Sequence, residues 1–306
     1  MRNSFKIDFL CVGFQKCATT TLDAILRQHS EVALPIIKEI HLAEWATKCQ
    51  NPMKLIENKF FRDTNYSNKK IGIVDPSLTI PRNFSWEIYK EIGENVKLIF
   101  IMRNPVDRLF SYYKMALRLG YTDVYESTLN GKEITNVRRS FERYVRKEIA
   151  KENKISPILW GNYIDIIMEF IEYFNRDKMF FIFFEDFIHN PKKSTRELFD
   201  FLNLQYEDLD FERREFSGNC ISKNSMCFKI NRKVILEREK RRCSIKASVR
   251  QFNRLDSISE KVAKLTTETN NEKMSASARR LLEKYYGDSK RKLEGFLDVD
   301  LSEKWF

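Results

Sequence analysis

The sequence predicts an α/β fold in which a central parallel β-sheet is flanked by helices. Short apolar runs rich in β-branched or aromatic residues have the character of strands that are buried on both faces. They occupy residues 9–14, 71–74, 96–102 and 179–184. Helical patterns stand between these runs and after the last of them, at residues 20–28, 106–119, 163–174, 194–202 and 276–296. Because strands that alternate with helices form parallel sheets, we expect ligands to bind at the carboxyl ends of the strands.

Length and composition fit a large globular domain. The chain has 306 residues, of which 42% are hydrophobic and 32% are charged, and this composition excludes a disordered or collagen-like protein. We expect one domain over residues 1–306, with helical additions at about 121–153 and 228–271. No apolar stretch approaches the roughly 18 to 20 residues of a spanning helix, so the sequence predicts no transmembrane anchor.

The cysteines indicate a reducing compartment. The six cysteines are scattered, and they lack both the density of a disulfide scaffold and the paired spacing of a zinc site. Cys220 and Cys227 are close enough in sequence to form a bridge, but free buried thiols are the favoured interpretation. We therefore predict a cytoplasmic protein without a metal site.

Positive charge is concentrated in one part of the chain. The formal net charge is +11, and residues 213–254 hold thirteen lysine or arginine residues against three acidic ones. Such a stretch indicates a solvated basic helix, a surface for an anionic polymer or a nucleic-acid interface. All three interpretations stay open on charge alone.

The segment after the first predicted strand has the character of a phosphate-binding loop. It reads Gly-Phe-Gln-Lys-Cys-Ala-Thr-Thr-Thr from Gly13 to Thr21 and leads from a strand into a helix. The amino end of that helix offers unpaired amide hydrogens, Lys16 adds a positive charge, and the threonines add hydroxyl donors. A Walker A loop would place its lysine three residues later, at position 19, so this loop is of another type. The plainer interpretation is a threonine-capped helix after a strand.

The segment after the third predicted strand is a second candidate anion site. Asn104 can cap a helix that begins at Pro105, which leaves Arg103 at the carboxyl end of the strand. Its planar guanidinium can bind a phosphate through two hydrogen bonds, and Ser111, eight residues later, can add a hydroxyl. A structural salt bridge of a buried Arg103 is the alternative. Two anion-binding elements on neighbouring strands favour a ligand with two separated phosphates.

Together these two segments resemble the sulfotransferases that use 3′-phosphoadenosine 5′-phosphosulfate (PAPS), particularly the heparan-sulfate type and its bacterial relatives. In this family a Gly-x-x-Lys-x-x-Thr loop binds the 5′ phosphosulfate, and an Arg-x-Pro segment with a later serine binds the 3′ phosphate. Further matches follow in the family's order over nearly the whole chain, at residues 38–41, 161–163, 184–187, 190–191, 201–204 and 282–305. The resemblance implies a P-loop-like three-layer fold and a PAPS-dependent sulfotransferase.

The resemblance also implies roles for individual residues. The cofactor, released as 3′-phosphoadenosine 5′-phosphate (PAP), would be bound by Lys16, Cys17, Ala18, Thr19, Thr20, Thr21, Arg103, Ser111 and Lys273. Lys16 would also stabilise the leaving phosphate. Glu39 would be the general base, with its pKa raised by low solvent access. His41 is the rival base, because residues 39 and 41 of an extended segment face the same side; a packed histidine is the alternative.

The implied acceptor is a hydroxyl or an amine, on a carbohydrate, a glycolipid or another small molecule. It can be anionic, because the basic stretch would then hold it near the cleft, with Lys223 at the rim. No metal is required, since the transferred group carries less charge than a phosphoryl group.

Three departures from the family pattern stand out. The family loop usually has glycine where this chain has Cys17 and Ala18. The heparan-sulfate enzymes carry a lysine two residues before a proline, where this chain has Val74. Their Lys-Gly-Arg cofactor lid is also missing, and Lys273 is the substitute that we assign.

Two other functions fit parts of the sequence. A magnesium-dependent kinase of a nucleoside or small molecule would use a similar core, but the placement of Lys16 and the lack of a Walker B aspartate count against it. A basic nucleic-acid-binding protein would use the positive stretch, but the sequence has no zinc finger or RNP motif. We therefore expect no nucleic-acid partner.

Overall fold

The computed structural model of the protein describes residues 5–62, 64–80, 84–121, 125–130, 133–151, 156–211, 220–242, 244, 249–269 and 271–306. The chain divides into two compact units. The first comprises Met1–Pro105, Asn162–Glu215 and Ser289–Phe306, and the second comprises Val106–Gly161 and Phe216–Asp288.

The helices and strands follow one another along both units. The strands are β1 (Phe9–Gly13), β2 (Val32–Ala33), β3 (Lys70–Val74), β4 (Lys97–Met102), β5 (Tyr125–Asn130), β6 (Glu133–Arg138), β7 (Met179–Phe183), β8 (Cys220–Ser222) and β9 (Thr267–Thr269). The α-helices are α1 (Thr19–Leu26), α2 (Leu42–Lys48), α3 (Pro52–Phe60), α4 (Phe84–Ile92), α5 (Pro105–Leu119), α6 (Phe141–Ala150), α7 (Tyr163–Ile171), α8 (Phe184–His189), α9 (Pro191–Leu202), α10 (Ser225–Arg242), α11 (Val249–Thr266) and α12 (Ala276–Leu297).

A parallel sheet with the strand order β2-β3-β1-β4-β7 forms the centre of the first unit. Its middle strand β1 is buried on both faces, because the side chains from Phe9 to Val12 are 0% exposed. β1 pairs with β3 on one side and with β4 on the other. The segments that follow these three strands therefore leave the sheet at the same edge, as the sequence predicted.

Aromatic side chains fill the core beside β4. The Phe100 ring stacks on Phe181 at a centroid distance of 5.3 Å and meets the edge of Phe170 at 5.4 Å. Phe14, the first residue of the loop after β1, lies 6.2 Å from the same ring. Contacts of this kind stabilise a core beyond the area that they bury, so the base of this loop rests on a rigid part of the molecule.

The predicted strands are confirmed as β1, β3, β4 and β7, and each differs from its predicted range by one residue at one end. The predicted helices are confirmed as α1, α5, α7, α9 and α12, with ends that agree to within three residues. β2 was not predicted, because its two residues are too few to show a pattern.

The second unit corrects one prediction. Residues 121–153, expected to be helical, contain an antiparallel hairpin in which β5 pairs with β6 from Tyr125 opposite Arg138 to Asn130 opposite Glu133. α6 follows the hairpin and begins at a Ser140 cap that accepts a hydrogen bond from the Arg143 amide. The sequence signal for this hairpin is Asn130 followed by glycine, between two segments that alternate in polarity.

The range 228–271, for which we expected a helical addition, contains most of α10 and all of α11. β8 precedes α10, β9 follows α11, and these two short strands pair antiparallel. The beginning of α10 and the end of α11 are therefore adjacent, and the two helices form an antiparallel hairpin. The organisation of residues 1–306 as one domain stays a prediction.

Gly161 has a packing reason to be glycine. A Cβ at this position would lie 2.8 Å from atoms of the Tyr286 ring. Tyr286 is 0% exposed, and its hydroxyl donates to the carbonyl oxygen of Ile158 at 2.7 Å. Any larger residue at Gly161 would displace this buried tyrosine.

Candidate active site

The loop between β1 and α1 turns at two residues that are not glycine. Lys16 and Ala18 have φ angles of 70° and 65°, in the left-handed region that residues with a Cβ rarely adopt. The turn at Ala18 directs the chain into α1, and the first amide groups of a helix have no acceptor within it. Such amides attract a phosphate, and strained residues of this kind cluster at functional sites.

The residues of this loop differ in their exposure to solvent. Cys17 is 0% exposed, with its Sγ 3.8 Å from the Gln15 carbonyl oxygen. Thr19 is also buried. Lys16, Ala18, Thr20 and Thr21 are half-buried. The loop therefore offers its backbone and the Lys16 side chain more readily than the Cys17 thiol.

Lys38 links this loop to the segment before α2. Its Nζ donates to Thr19 Oγ1 at 3.3 Å and to Glu39 Oε1 at 2.5 Å. The Lys38 side chain is 16% exposed, so the ammonium group lies beside the start of α1 in a partly desolvated place. The sequence assigned no role to this lysine. The signal that could have found it is its position directly before Glu39.

Glu39 and His41 do not lie in an extended segment, so that expectation was wrong. Their φ angles are 58° and 57°, and His41 is the residue from which α2 begins. Because the chain must turn into this helix, the two-residue alternation that would place both side chains on one side does not hold. The Glu39 amide donates to the Val74 carbonyl oxygen at 3.2 Å, which fixes Glu39 beside the carboxyl end of β3.

Asp75 also fixes the segment that contains Glu39 and His41, through a hydrogen bond at the start of α2. Its carboxyl group is fully buried, and Oδ2 accepts a hydrogen bond from the Leu42 amide at 2.9 Å. Oδ1 accepts from the Ser77 hydroxyl at 2.6 Å. The aspartate that follows Val74 thus fixes the start of α2 beside the end of β3.

Arg103 lies where β4 ends, next to the loop that follows β1. Its Nη1 donates to the Lys16 carbonyl oxygen at 3.5 Å, and its guanidinium carbon lies 4.4 Å from the centre of the Phe184 ring. The Arg103 side chain is half-buried. The two predicted anion-binding segments are therefore in direct contact, and the stacked guanidinium is held at the edge of the sheet.

Tyr163, the first residue of α7, supports both segments. Its hydroxyl donates to the Arg103 carbonyl oxygen at 2.7 Å and lies 3.9 Å from Cys17 Sγ. Its ring packs against Phe14 and Trp305, at centroid distances of 4.4 and 5.7 Å. The family match at residues 161–163 thus corresponds to a buried support of the candidate site.

Glu185 adds an acidic group behind Arg103. It accepts hydrogen bonds from the Asn104 amide at 2.8 Å and from Trp305 Nε1 at 3.3 Å. Burial raises the pKa of this carboxyl above its ordinary value of 4.5, against the lowering effects of these hydrogen bonds and of the Arg103 charge. We assign Glu185 to the support of the β4 segment, because its hydrogen bonds hold the backbone at Asn104.

The other predicted site residues belong to the second unit. Ser111 is half-buried on α5, and Lys223 and Lys273 are exposed. The Lys223 amide donates to the Thr266 carbonyl oxygen at 2.9 Å. The roles of these three residues stay predictions.

The described residues show neither a metal site nor a membrane-spanning helix. Among these residues, no group of three or more histidine, cysteine, aspartate or glutamate side chains could hold a metal ion. Within the same part of the chain, every helix is too short or too polar to cross a bilayer. Cys227 is a free thiol.

The family model described as "Sulfotransferase domain" matches residues 6–280 of the chain. In fold, the chain is similar to a sulfotransferase from Alicyclobacillus acidocaldarius, with a TM-score of 0.62 and 17% identity over 97% of this chain and 98% of that protein. This likeness confirms the predicted P-loop-like α/β fold with a central parallel sheet between helices.

A curated relative is also a sulfotransferase. The membrane-associated sulfotransferase kil1 of Dictyostelium discoideum is 28% identical over 163 residues, which are 47% of this chain. The match covers 33% of the length of that protein.

Proposed function

Since the chain belongs to the sulfotransferase domain family, we propose that it transfers a sulfuryl group from PAPS to a hydroxyl or amine acceptor and releases PAP. The observation that carries this proposal is the hydrogen bond from Arg103 to the Lys16 carbonyl oxygen. It joins the two segments that would hold the two phosphate groups of the cofactor. A ligand with a single phosphate chain has no need of both segments.

The donor groups at the sheet edge fit an anionic cofactor. Lys16 and the first amides of α1 bind the 5′ phosphosulfate, and Arg103 binds the 3′ phosphate. Of the first-loop residues, Cys17 and Ala18 contribute backbone amides, and Thr20 and Thr21 add hydroxyl groups. PAPS supplies an activated sulfuryl group, whose bond to the 5′ phosphate oxygen breaks as the acceptor atom bonds to sulfur.

Lys38 supplies a second cation to this site. The lysine of the heparan-sulfate enzymes has no counterpart at Val74, but Lys38 reaches the start of α1 from the neighbouring segment. We assign to Lys38, together with Lys16, the stabilisation of the charge that develops on the leaving phosphate oxygen. The same ammonium group orients Glu39.

Glu39 is the general base in this proposal. Its Oε1 accepts a hydrogen bond from Lys38, which orients the carboxyl group, and a carboxylate can accept the acceptor's proton. Glu39→Gln should abolish turnover and leave PAP affinity nearly unchanged. His41→Gln tests the rival assignment: if this variant loses turnover while Glu39→Gln keeps it, His41 is the base.

The proposed acceptor is a carbohydrate or glycolipid, by resemblance to the heparan-sulfate type. It can be anionic, in which case Lys223 is the residue that we assign to its negative charge. Release of PAP in the presence of carbohydrate, glycolipid or phenolic acceptors measures this preference. The cytoplasmic location stays a prediction, and the Dictyostelium relative is described as membrane-associated.

Calorimetric titration of PAP, AMP and ATP into the protein in EDTA tests the cofactor assignment. We expect PAP to bind about tenfold or more tightly than AMP, since the 3′ phosphate makes charge-assisted hydrogen bonds with Arg103. Arg103→Ala should remove this preference. Arg176→Ala is the matched control, because Arg176 also stacks on an aromatic ring, Phe181, but lies at the amino end of β7. Binding of ATP with magnesium, without binding of PAP, would instead indicate the kinase.

A further inference from the structure

The exposed face of α10 carries large apolar side chains. Met226, Ile230 and Leu236 are 72%, 41% and 55% exposed, whereas the opposite side of the helix buries Phe228 and Ile235. The helix is therefore apolar on its packed side and again on its solvent side. Exposed lysines occupy the same solvent-facing side at Lys229, Lys233 and Lys240.

The solvent-facing side of α11 has the same character. Ile258 and Leu265 are 40% and 75% exposed. Exposed cations stand among them at Arg254, Lys261 and Lys264. We call these exposed apolar and basic side chains of the two helices the α10–α11 face.

The most exposed members of the α10–α11 face lie at one end of the helical hairpin. Ser222 pairs with Thr267 in the β8–β9 ladder. Met226 comes four residues after Ser222, and Leu265 comes two residues before Thr267. The Thr266 hydroxyl also donates to Asn231 Oδ1 at 2.6 Å, which fixes the helices to each other at this end. Met226 and Leu265 thus project from the same end, next to the exposed Lys223.

The combination of side chains identifies the chemistry of the partner. A soluble anionic polymer or a nucleic acid would use the lysines and leave exposed methionine and leucine without a function. Protein interfaces are depleted in lysine, so a protein partner does not explain the cations. A bilayer surface with anionic lipids uses both kinds of side chain, since apolar residues enter the headgroup region while cations meet the phosphates.

We propose that the α10–α11 face docks on an anionic lipid surface. Met226 and Leu265 enter the boundary between headgroups and acyl chains, and the surrounding lysines bind lipid phosphate and carboxylate groups. The proposal does not depend on the sulfotransferase activity and is tested without any turnover assay.

Co-sedimentation with vesicles is the first test. The full chain should bind vesicles of phosphatidylcholine mixed with phosphatidylserine much more strongly than vesicles of phosphatidylcholine alone. Raising the salt concentration should weaken the binding, because the lysine contribution is screened. Equal binding to both kinds of vesicle, or no binding to either, overturns the proposal.

The apolar contribution is tested by the double variant Met226→Ser/Leu265→Ser. We expect its affinity for the mixed vesicles to fall about tenfold, because two large apolar side chains are no longer transferred from water into the bilayer surface. The matched control is Met168→Ser/Ile188→Ser, which removes two exposed apolar side chains of the first unit, 46% and 44% exposed. The control should bind as the wild type does, and an equal loss in both variants overturns the proposal.

The charge contribution is tested by Lys229→Glu/Lys264→Glu, with Lys192→Glu/Lys193→Glu on α9 as the control of equal charge change. The first variant should lose about tenfold or more in vesicle affinity, and the second should lose much less, although it carries the same net charge.

Two other outcomes would assign the face to a different partner. If the wild type binds heparin but not vesicles, and the first variant loses the binding to heparin, the face binds a soluble polymer and the proposal fails. Self-association that the apolar variant abolishes, without vesicle binding, would assign the face to a second copy of the chain and also overturns it.

Discussion

The hydroxyl group of Tyr163 donates a hydrogen bond to the carbonyl oxygen of Arg103 at 2.7 Å. The same hydroxyl lies 3.9 Å from the sulfur of Cys17, in the loop that holds Lys16. One side chain thus contacts both segments to which we assign phosphate binding, at the backbone of one and at a buried side chain of the other. In the proposed function its effect on PAP is indirect, since it would position the groups that bind.

Tyr163→Phe should weaken PAP binding about fivefold, because it removes one buried hydrogen bond and keeps the ring that packs on Phe14. Calorimetry of PAP binding measures this loss. Tyr66→Phe is the control, since it removes a comparable hydrogen bond to Glu57 at 2.6 Å outside the candidate site. If both variants bind PAP equally, Tyr163 has only a general structural role.

Lys38→Met should lower turnover about a hundredfold, because the leaving phosphate oxygen loses one of the two cations that we assign to it. Its effect on the affinity for PAP should be smaller. Steady-state release of PAP gives both kcat and KM. Lys48→Met is the matched variant, since Lys48 forms a similar ion pair with Glu44 at 2.6 Å on the surface. A rise in KM with unchanged kcat would contradict the assignment.

Ala18→Gly should raise the free energy of unfolding by about 0.5 to 1 kcal/mol. Ala18 has a φ angle of 65°, and glycine relieves the steric cost of this conformation, although part of the gain is offset by the entropy of the unfolded chain. Urea denaturation measures the change. Ala24→Gly, within α1, should instead lower the free energy of unfolding by about 1 kcal/mol. A loss in both variants would show that the left-handed turn is not strained.

Glu185→Gln should change the pH dependence of stability. A carboxyl whose pKa rises on folding destabilises the folded protein once it ionises. The free energy of unfolding of the wild type, relative to Glu185→Gln, should therefore be highest below the ordinary pKa of 4.5 and should fall as the pH rises above it. Urea denaturation of both proteins over a pH series measures this difference.

Glu207→Gln provides a control with the opposite sign. The Ser30 hydroxyl donates to Glu207, and this hydrogen bond lowers the pKa of the carboxyl. The wild type should gain stability relative to Glu207→Gln as the pH rises toward 4.5 from below, and should keep this gain above 4.5. Parallel slopes for the two variants would contradict the assigned directions.

The sequence predicted the buried strands well, because apolar residues on both faces leave a continuous pattern, as in β1 and β4. From this pattern it also predicted that Lys16 and Arg103 would follow parallel strands at one edge of a sheet. The sequence analysis also placed the two segments on neighbouring strands, which the pairing of β1 with β4 confirms. The direct contact between Arg103 and the Lys16 carbonyl oxygen could not be predicted, because it depends on how the two loops fold.

Other parts of the site depend on contacts that no local pattern records. The hydrogen bond between Lys38 and Thr19 joins residues that are separated by helix α1 and strand β2, so the sequence assigned Lys38 no role beyond its place in a family motif. The left-handed residues Glu39 and His41 arise because the chain must turn into α2. Alternation along a sequence predicts side-chain direction only where the backbone is regular.

The order of segments in the first unit has a consequence for synthesis on the ribosome. Trp305 packs on Tyr163 and donates to Glu185, yet residues 289–306 follow every segment of the second unit along the chain. The whole second unit is therefore synthesised before the Trp305 indole ring can pack on Tyr163. The packing of Trp305 against Tyr163 and Glu185 is thus a late event in the synthesis of each chain, and before it these two residues lack one of their contacts.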